Sequence, residues 1–339
     1  MSDFAEKHPF LHGLLLMAAP VLAAFIALVA GRYQVTLHDV FGTLGALLRR
    51  EALDGQVQII VGTMRLPRIV LALLVGSGLA AAGAAFQSLF SNPLATPDTL
   101  GVVSGASLGA VVGLFFGQGQ LVVQLLALGT GFAAVGITYA VSAKRGESTN
   151  MTTMVLAGIV VSSLFSALVS MIKYIADTDS QLPSITYWLL GSLTSATWSN
   201  LPVCSAFIVT GTAVLFLIRW KLNVLPLSED EARATGINLR AMRVVTAVCS
   251  TMITAGAVAM CGQVAWVGLL IPHIARMLYG SNNARLVPAC ISFGAVFMVL
   301  VDTLARCMTE AEIPISILTS LIGAPFFIHL LRTTKGWQS

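Results

Sequence analysis

The chain has 339 residues, of which 56% are hydrophobic and only 10% are charged, and its mean hydropathy is +0.86. These values exclude an ordinary soluble globular protein and are typical of a membrane protein with several spanning helices. The formal net charge of +4 comes from scattered cations that report membrane orientation, not from a basic surface for nucleic acid. The five cysteines show no CxxC pair and no Cys/His ligand spacing, so no disulfide or metal framework is predicted.

Apolar stretches that approach the thickness of a bilayer recur along the whole chain. The first, which begins at Phe10, is too long for a signal-peptide core and lacks a convincing cleavage site, so we expect it to be retained. The stretches lie at residues 10–31, 64–86, 97–116, 120–142, 151–173, 199–219, 243–262, 264–280, 287–305 and 313–332. They predict an all-α polytopic membrane protein of about ten transmembrane helices, with residues 1–339 forming one transmembrane domain. The bias of Lys and Arg among the loops predicts that both termini are cytoplasmic.

Two arginines, Arg65 and Arg68, open the second apolar stretch on the side that this orientation makes extracytoplasmic. Pro67 between them suits the first turn of a helix. One interpretation is that both side chains extend to lipid headgroups. The other is an electropositive rim that docks an acidic partner, to which Arg306 at the outer end of a later span would add.

Residues 92–97, Asn-Pro-Leu-Ala-Thr-Pro, predict a loop on the cytoplasmic side, because two prolines and an asparagine do not continue a helix. From the residues alone, this segment is a plain turn.

The fifth apolar stretch carries Ser162, Ser166 and Ser170, each one helical turn from the next. Small polar residues in a spanning helix favour close packing against a neighbouring helix. The alternative is that they form one wall of a transport pathway.

A segment that we call the charged loop, residues 222–243, contrasts with the apolar sequence around it. Within it, Ser228 and Glu231 have the spacing of a capping box, and residues 229–234 favour a helix. The loop is therefore expected to lie in water and to be folded.

Two further signals continue this pattern. Gly236 predicts the end of the first short helix, and Asn238 can cap a second short helix that begins at Leu239. Two short helices on a cytoplasmic loop indicate a surface that another protein binds.

The chain lacks the motifs of an enzyme or of an ATP-driven motor. It contains no GxxxxGK[ST] or HExxH sequence and no convergent Ser/His/Asp set, so neither a phosphate-binding P-loop nor a hydrolytic site is predicted. Asp302 is the ionisable candidate well inside an apolar stretch, and Arg306 lies one turn later as its expected partner. A structural role and a proton relay both remain open for Asp302, but energy is expected to enter elsewhere.

Motifs along nearly the whole chain resemble those of the FecCD-type permeases, the membrane subunits of ABC importers for iron–siderophores, haem and vitamin B12. The first half contributes Arg65-Leu-Pro-Arg68, Gly83, Gln87, Asn92-Pro-Leu-Ala95, Pro97, Leu100-Gly101 and Gly105-Ala106. The second half contributes Gly268-Leu-Leu-Ile-Pro-His273, Arg276, Gly280, Pro288, Gly294-Ala295, Asp302, Arg306, Glu312-Ile-Pro314 and Gly323-Ala-Pro-Phe326. Ser316 and Trp266 depart from the family pattern, which usually has Gly and Phe there.

The resemblance implies a type II ABC importer permease architecture and a role for each group of residues. It implies that an extracytoplasmic binding protein docks on Arg65, Arg68 and Arg306. It implies a gate and pathway at Asn92, Thr152, Thr153, Ser162, Ser166 and Ser170. It implies that a separate ATPase grips the charged loop through Ser228, Glu229, Glu231, Arg233, Ala234, Gly236 and Ile237.

The same resemblance implies a non-enzymatic subunit of the bacterial inner membrane that binds no cofactor, with ATP and Mg on a partner ATPase dimer. A second permease chain is expected, as a homodimer in preference to a heterodimer. The expected cargo is an iron–siderophore, with haem, cobalamin and oxyanions as alternatives. Two other classes of protein stay open: an ion-coupled secondary transporter, and a receptor or scaffold that only binds.

Overall fold

The structure, a computed structural model, describes residues 8–142 and 151–333, and within these ranges it contains helices and no strand. Six helices there are long and apolar enough to cross a membrane, and four shorter apolar helices accompany them. The ten are α1 (Pro9–Val29), α3 (Gln56–Leu89), α4 (Val102–Phe115), α5 (Gln120–Ser142), α6 (Met151–Ile175), α8 (Leu201–Leu217), α10 (Leu239–Cys261), α11 (Val267–Tyr279), α12 (Asn283–Cys307) and α13 (Ile315–Thr333). The predicted all-α polytopic fold is confirmed.

Three shorter α-helices lie between the apolar ones in the described ranges: α2 (Leu37–Arg49), α7 (Gln181–Leu189) and α9 (Glu229–Ala234). Sequence analysis did not predict α2, although its start carries a capping box. Thr36 Oγ1 accepts from the Asp39 N–H at 3.2 Å, and Asp39 Oδ2 accepts from the Thr36 N–H at 2.9 Å.

The second spanning helix begins earlier than predicted. We expected it to start at residue 64, but α3 begins at Gln56 and passes through a π-helical turn, Ile60–Arg65. Pro67 has no N–H to give to the preceding turn. The π-helical turn shifts the bonding register just ahead of it, where the Leu66 N–H reaches the Val61 carbonyl, so the helix continues through the proline.

Helix α3 forms the centre of the bundle and is the most buried of the six long apolar helices. Two of its glycines lie directly against the backbones of neighbouring helices. A Cβ at Gly76 would lie 2.7 Å from the Gly294 carbonyl carbon of α12, and one at Gly83 would lie 2.6 Å from the Gly268 carbonyl carbon of α11. Glycine permits such close approach, which substitutes for hydrophobic attraction between helices in lipid.

The bundle has two distinct ends. At the charged-loop end, Asn223 side-chain atoms bond to Asn282 at 3.0 Å and to the Asn283 N–H at 2.9 Å. At the opposite end, the Ser192 N–H donates to the Cys261 carbonyl at 2.8 Å.

Candidate functional site

The predicted capping box of the charged loop is present at the start of α9. The Ser228 Oγ accepts from the Glu231 N–H at 3.4 Å, and Glu231 Oε2 accepts from the Ser228 N–H at 2.9 Å and from its hydroxyl at 2.8 Å. Ala232 on the inner face of α9 is 1% exposed, so this short helix is packed on the bundle. The loop is therefore an ordered element.

The Ser228 hydrogen bonds hold the pKa of the Glu231 carboxyl below its usual range. A lowered pKa means that the carboxylate form is favoured in the folded loop. Its stabilising contribution is present above the ordinary glutamate pKa and is lost as the pH falls through the lowered value.

The Ser228→Ala substitution is expected to destabilise α9 by about 1 kcal/mol, because it removes the side-chain acceptor of the N-cap. Amide hydrogen exchange of residues 229–235 in the purified protein measures this effect as faster local opening. A matched Ser→Ala change at Ser199, which is exposed at the opposite end, should leave that exchange unchanged. Equal protection of α9 in both variants would contradict the role of the cap.

The prediction of a second short helix is wrong. Gly236 has φ +74°, as a left-handed helix end requires, and Asn238 Oδ1 accepts from the Ala241 N–H at 3.0 Å as expected. The helix capped by Asn238 is α10, however, which runs without a break to Cys261 because no proline and no stop signal intervenes. The charged loop is thus joined directly to a spanning helix.

The side chains expected to meet an ATPase are accessible at the surface. Ser228, Glu229, Glu231, Arg233, Ala234 and Gly236 are exposed, and Ile237 is half-buried. The base of the loop is anchored in contrast, since Leu222 and Leu225 are buried.

The predicted gate loop is a hydrogen-bonded turn. Asn92 is exposed, and its Oδ1 accepts from the Leu94 N–H at 2.9 Å while its own N–H donates to the Gln87 carbonyl at 3.1 Å. Thr152 and Thr153 lie in the first turn of α6, exposed and half-buried respectively. The segment before them, residues 143–150, lies outside the described residues.

The loop after the turn packs directly on α6. A Cβ at Gly158 would lie 3.1 Å from the Leu100 Cα, and one at Gly101 would lie 3.2 Å from the Ser162 Oγ. The gate loop and the predicted pathway helix are therefore neighbours.

The three serines of α6 do not share one environment. Ser162 is half-buried beside Gly101, whereas Ser166 and Ser170 are exposed. The Ser170 hydroxyl donates to the Ser166 carbonyl at 2.9 Å, so it is satisfied within the helix. Ser166 and Ser170 are therefore the two serines on an accessible surface that can face a pathway.

At the opposite end, Arg65 is bound to the backbone of the last turn of α1 and of the loop that follows it. Its Nη1 donates to the Leu28 carbonyl at 2.6 Å and its Nη2 donates to the Tyr33 carbonyl at 2.7 Å. Its residue exposure is 6%.

Arg68 joins α3 to α12 and to the loop that follows α12. Its Nε donates to Asp302 Oδ1 at 2.7 Å, and its Nη1 lies 2.8 Å from Glu312 Oε2. Arg306 Nε is 3.9 Å from Asp302 Oδ2, and Arg306 also donates to the Ala27 carbonyl. The predicted pairing of Asp302 with Arg306 is present, but Arg68, which sequence analysis did not pair with Asp302, lies much closer.

These contacts correct the expectation of an exposed arginine rim. Arg65, Arg68 and Arg306 are about nine-tenths buried, since each guanidinium meets acceptors of its own chain. Sequence analysis missed Glu312 as a partner; the acidic residue in the motif Glu312-Ile-Pro314 was the available signal. A docking role for the three arginines stays a prediction.

Comparison with known proteins places this arrangement in context. The FecCD transport family matches residues 18–333. The molybdate import system permease protein MolB of Haemophilus influenzae is 39% identical, over 97% of this chain and 97% of that protein. A protein of Helicobacter pylori named "Probable iron chelatin transport system permease protein" is 35% identical, over 94% of this chain and 97% of that protein. A solved inward-facing structure of an ABC transporter assigned to the metal-chelate type is 37% identical, with a TM-score of 0.84 over 95% of this chain and 99% of that chain.

Proposed function

The chain belongs to the FecCD transport family and is an ABC importer permease, and we propose that a separate ATPase drives it by gripping the charged loop. The observation that carries this proposal is α9, a capped and exposed charged helix on a chain whose sequence contains no P-loop. A helix with an accessible polar face and a packed base is suited to transmit force from a partner protein.

Helix α10 connects the charged loop to the opposite end of the bundle and would transmit this force across the membrane. Its 23 residues span roughly 34 Å at the α-helical rise. At its far end, the carbonyls of Met260 and Cys261 accept from Ser195 and Ser192. A displacement of the charged loop would thus reach the loops at the opposite end through one rigid element.

Those opposite-end loops are the proposed docking side for an extracytoplasmic binding protein. Arg65, Arg68 and Arg306 remain the proposed docking residues, but a carboxylate of the partner must compete with Asp302 or with Glu312 to reach Arg68. Arg32, Arg49 and Arg50 are exposed at this end and supply accessible positive charge for the first encounter.

The proposed cargo is a metal chelate of the iron–siderophore class, supported by the relative named for iron chelatin transport. Molybdate is the second candidate because the MolB relative is 39% identical to this chain, slightly more than the 35% of the iron chelatin relative. The amounts of labelled ferric siderophore and of labelled molybdate that the purified binding protein retains, when the two compete, distinguish the two candidate cargoes.

A second permease chain is proposed to complete the pathway, as a homodimer. Helix α6 is one of the least buried long helices, and Ser166 and Ser170 lie on its open surface. Two such surfaces, one from each chain, would enclose a path lined by neutral side chains. Such a path would bind a bulky cargo only weakly.

The Ala234→Trp substitution tests the role of the charged loop. Ala234 is exposed, so the larger side chain should leave the fold intact while obstructing a partner on α9. We expect the amount of co-purified ATPase and the rate of ATP-driven uptake to fall about tenfold or more, since an interface clash of about 1.4 kcal/mol already weakens association tenfold.

The control is Ala52→Trp, an equivalent change at an exposed alanine of the opposite end, which should retain the ATPase. Unchanged ATPase binding and uptake in the Ala234→Trp variant would reject the coupling proposal. Uptake that a protonophore abolishes and that survives loss of the ATPase would instead identify a secondary transporter.

A further inference from the structure

A cavity of about 280 Å³ opens at the charged-loop end of the bundle. It lies where the turn after α3, the base of the charged loop and the start of α12 meet. Its lining is mostly polar and includes Gln87, Ser88, Asn92, Asn223, Arg276 and Asn283.

Two lining side chains hold hydrogen-bond donors that the described part of the chain leaves unused. Arg276 Nη2 donates to Gln87 Oε1 at 2.8 Å, which fixes the two side chains against each other. Arg276 Nε and Gln87 Nε2 are both buried and have no partner, and Gln87 as a whole is 2% exposed. Buried donors without an acceptor are costly, so an acceptor from outside the chain is expected here.

Three other polar side chains of the cavity are bonded to one another. The Ser88 hydroxyl donates to Asn283 Oδ1 at 3.1 Å, and Asn283 Nδ2 donates to Asn223 Oδ1 at 3.0 Å. They hold α3, α12 and the charged loop together around the two unused donors. The donors are therefore held by a rigid polar frame.

The charge of the cavity is positive. None of its ten lining residues is acidic, and no carboxylate of the described residues forms a salt bridge with Arg276. Arg276 is half-buried, with a buried Nε and no counter-ion. Such a cation favours an anionic occupant over water, because water supplies an acceptor and no charge.

We propose that this cavity binds an oxyanion of the phosphate type through Arg276 and Gln87. Guanidinium and amide donors suit its tetrahedral oxygens, and the volume is many times that needed for one water molecule. The same chemistry has two sources, a free inorganic oxyanion or the headgroup of an anionic phospholipid, since basic pockets between spanning helices hold such headgroups.

The position of the cavity gives the ligand a consequence for transport. Asn92 belongs to the predicted gate turn, and Asn223 and Pro226 belong to the base of the charged loop. A bound oxyanion would contact both, so its occupancy would regulate how motion of the charged loop reaches the gate.

Binding to the full-length protein in phosphatidylcholine nanodiscs tests the proposal. Equilibrium dialysis with radioactive inorganic phosphate measures the free oxyanion, and native mass spectrometry with added phosphatidylglycerol measures the lipid. We expect saturable binding of one of the two probes. Arg276→Gln should weaken it about tenfold or more, the effect of losing a charge-assisted hydrogen bond.

Ser281→Glu provides a second variant that keeps the Arg276–Gln87 pair and places a competing carboxylate at the cavity wall, so it should weaken binding likewise. Arg219→Gln is the matched control, because Arg219 is half-buried at the same end, as Arg276 is, lies 4.2 Å from the Phe216 ring centroid and does not line the cavity. Selective phosphate binding assigns the free oxyanion, and selective phosphatidylglycerol binding assigns the lipid. Failure of the native protein to bind either probe, or equal binding by all variants, overturns the proposal and leaves a water-filled cavity.

Discussion

Replacing Arg68 with alanine is expected to lower the free energy of unfolding by about 3 kcal/mol or more, because it leaves the buried Asp302 carboxylate without its nearest partner. Asp302 is 1% exposed and lies 2.7 Å from Arg68 Nε, whereas Arg306 Nε is 3.9 Å away. Arg306 is too distant to take over the hydrogen bond without moving. Unfolding in mixed micelles measures the loss.

Two comparisons separate this effect from the loss of any arginine. Arg49→Ala removes a cation whose side chain is 77% exposed and whose contact with Glu51 is 3.9 Å, so it should change the free energy of unfolding by less than about 1 kcal/mol. Asp302→Asn added to Arg68→Ala should recover part of the loss, because it removes the unpaired charge. A cost for Arg68→Ala no larger than that for Arg49→Ala would show that the ion pair does not stabilise the fold.

The positions and the helical type of the apolar segments were predictable because the bilayer imposes both on the sequence. Hydrocarbon requires an apolar run and a helix that satisfies its own backbone, so composition alone predicts each span. The start of α3 was not predictable in this way. A proline at residue 67 normally favours a helix start. Here the helix begins at Gln56 instead, because a π-helical turn, which has no sequence signature, precedes the proline.

In the candidate site, contacts between residues close in sequence were predictable, whereas contacts between residues far apart in sequence were not. The Ser228–Glu231 capping box was predictable because both bonds join residues three apart. The Arg68–Asp302 pair joins residues 234 apart, and its formation depends on how α3 packs on α12. Sequence alone offered only the neighbour Arg306, which suggested a closer local pair and a freer Arg68 than the structure contains.

Replacing Gly83 with leucine is expected to destabilise the bundle by at least the upper end of the roughly 1–3 kcal/mol range for overpacked sites. A Cβ at this position would lie 2.6 Å from the Gly268 carbonyl carbon of α11 and 2.7 Å from the Gly268 Cα. Backbone atoms do not rotate away as a flexible side chain does, so α3 and α11 must separate. Folded yield and the free energy of unfolding in mixed micelles measure the result.

Gly136→Leu in α5 is the matched control, since Gly136 is exposed and a Cβ there has no neighbouring atom within 4 Å. It should be neutral or stabilising, because leucine favours a helix over glycine. If the two leucine variants had equal stability, close backbone approach would not hold α3 against α11. A loss confined to Gly83→Leu would instead show that the structure depends at this contact on the absence of a side chain, where lipid supplies no hydrophobic drive to bring the helices together.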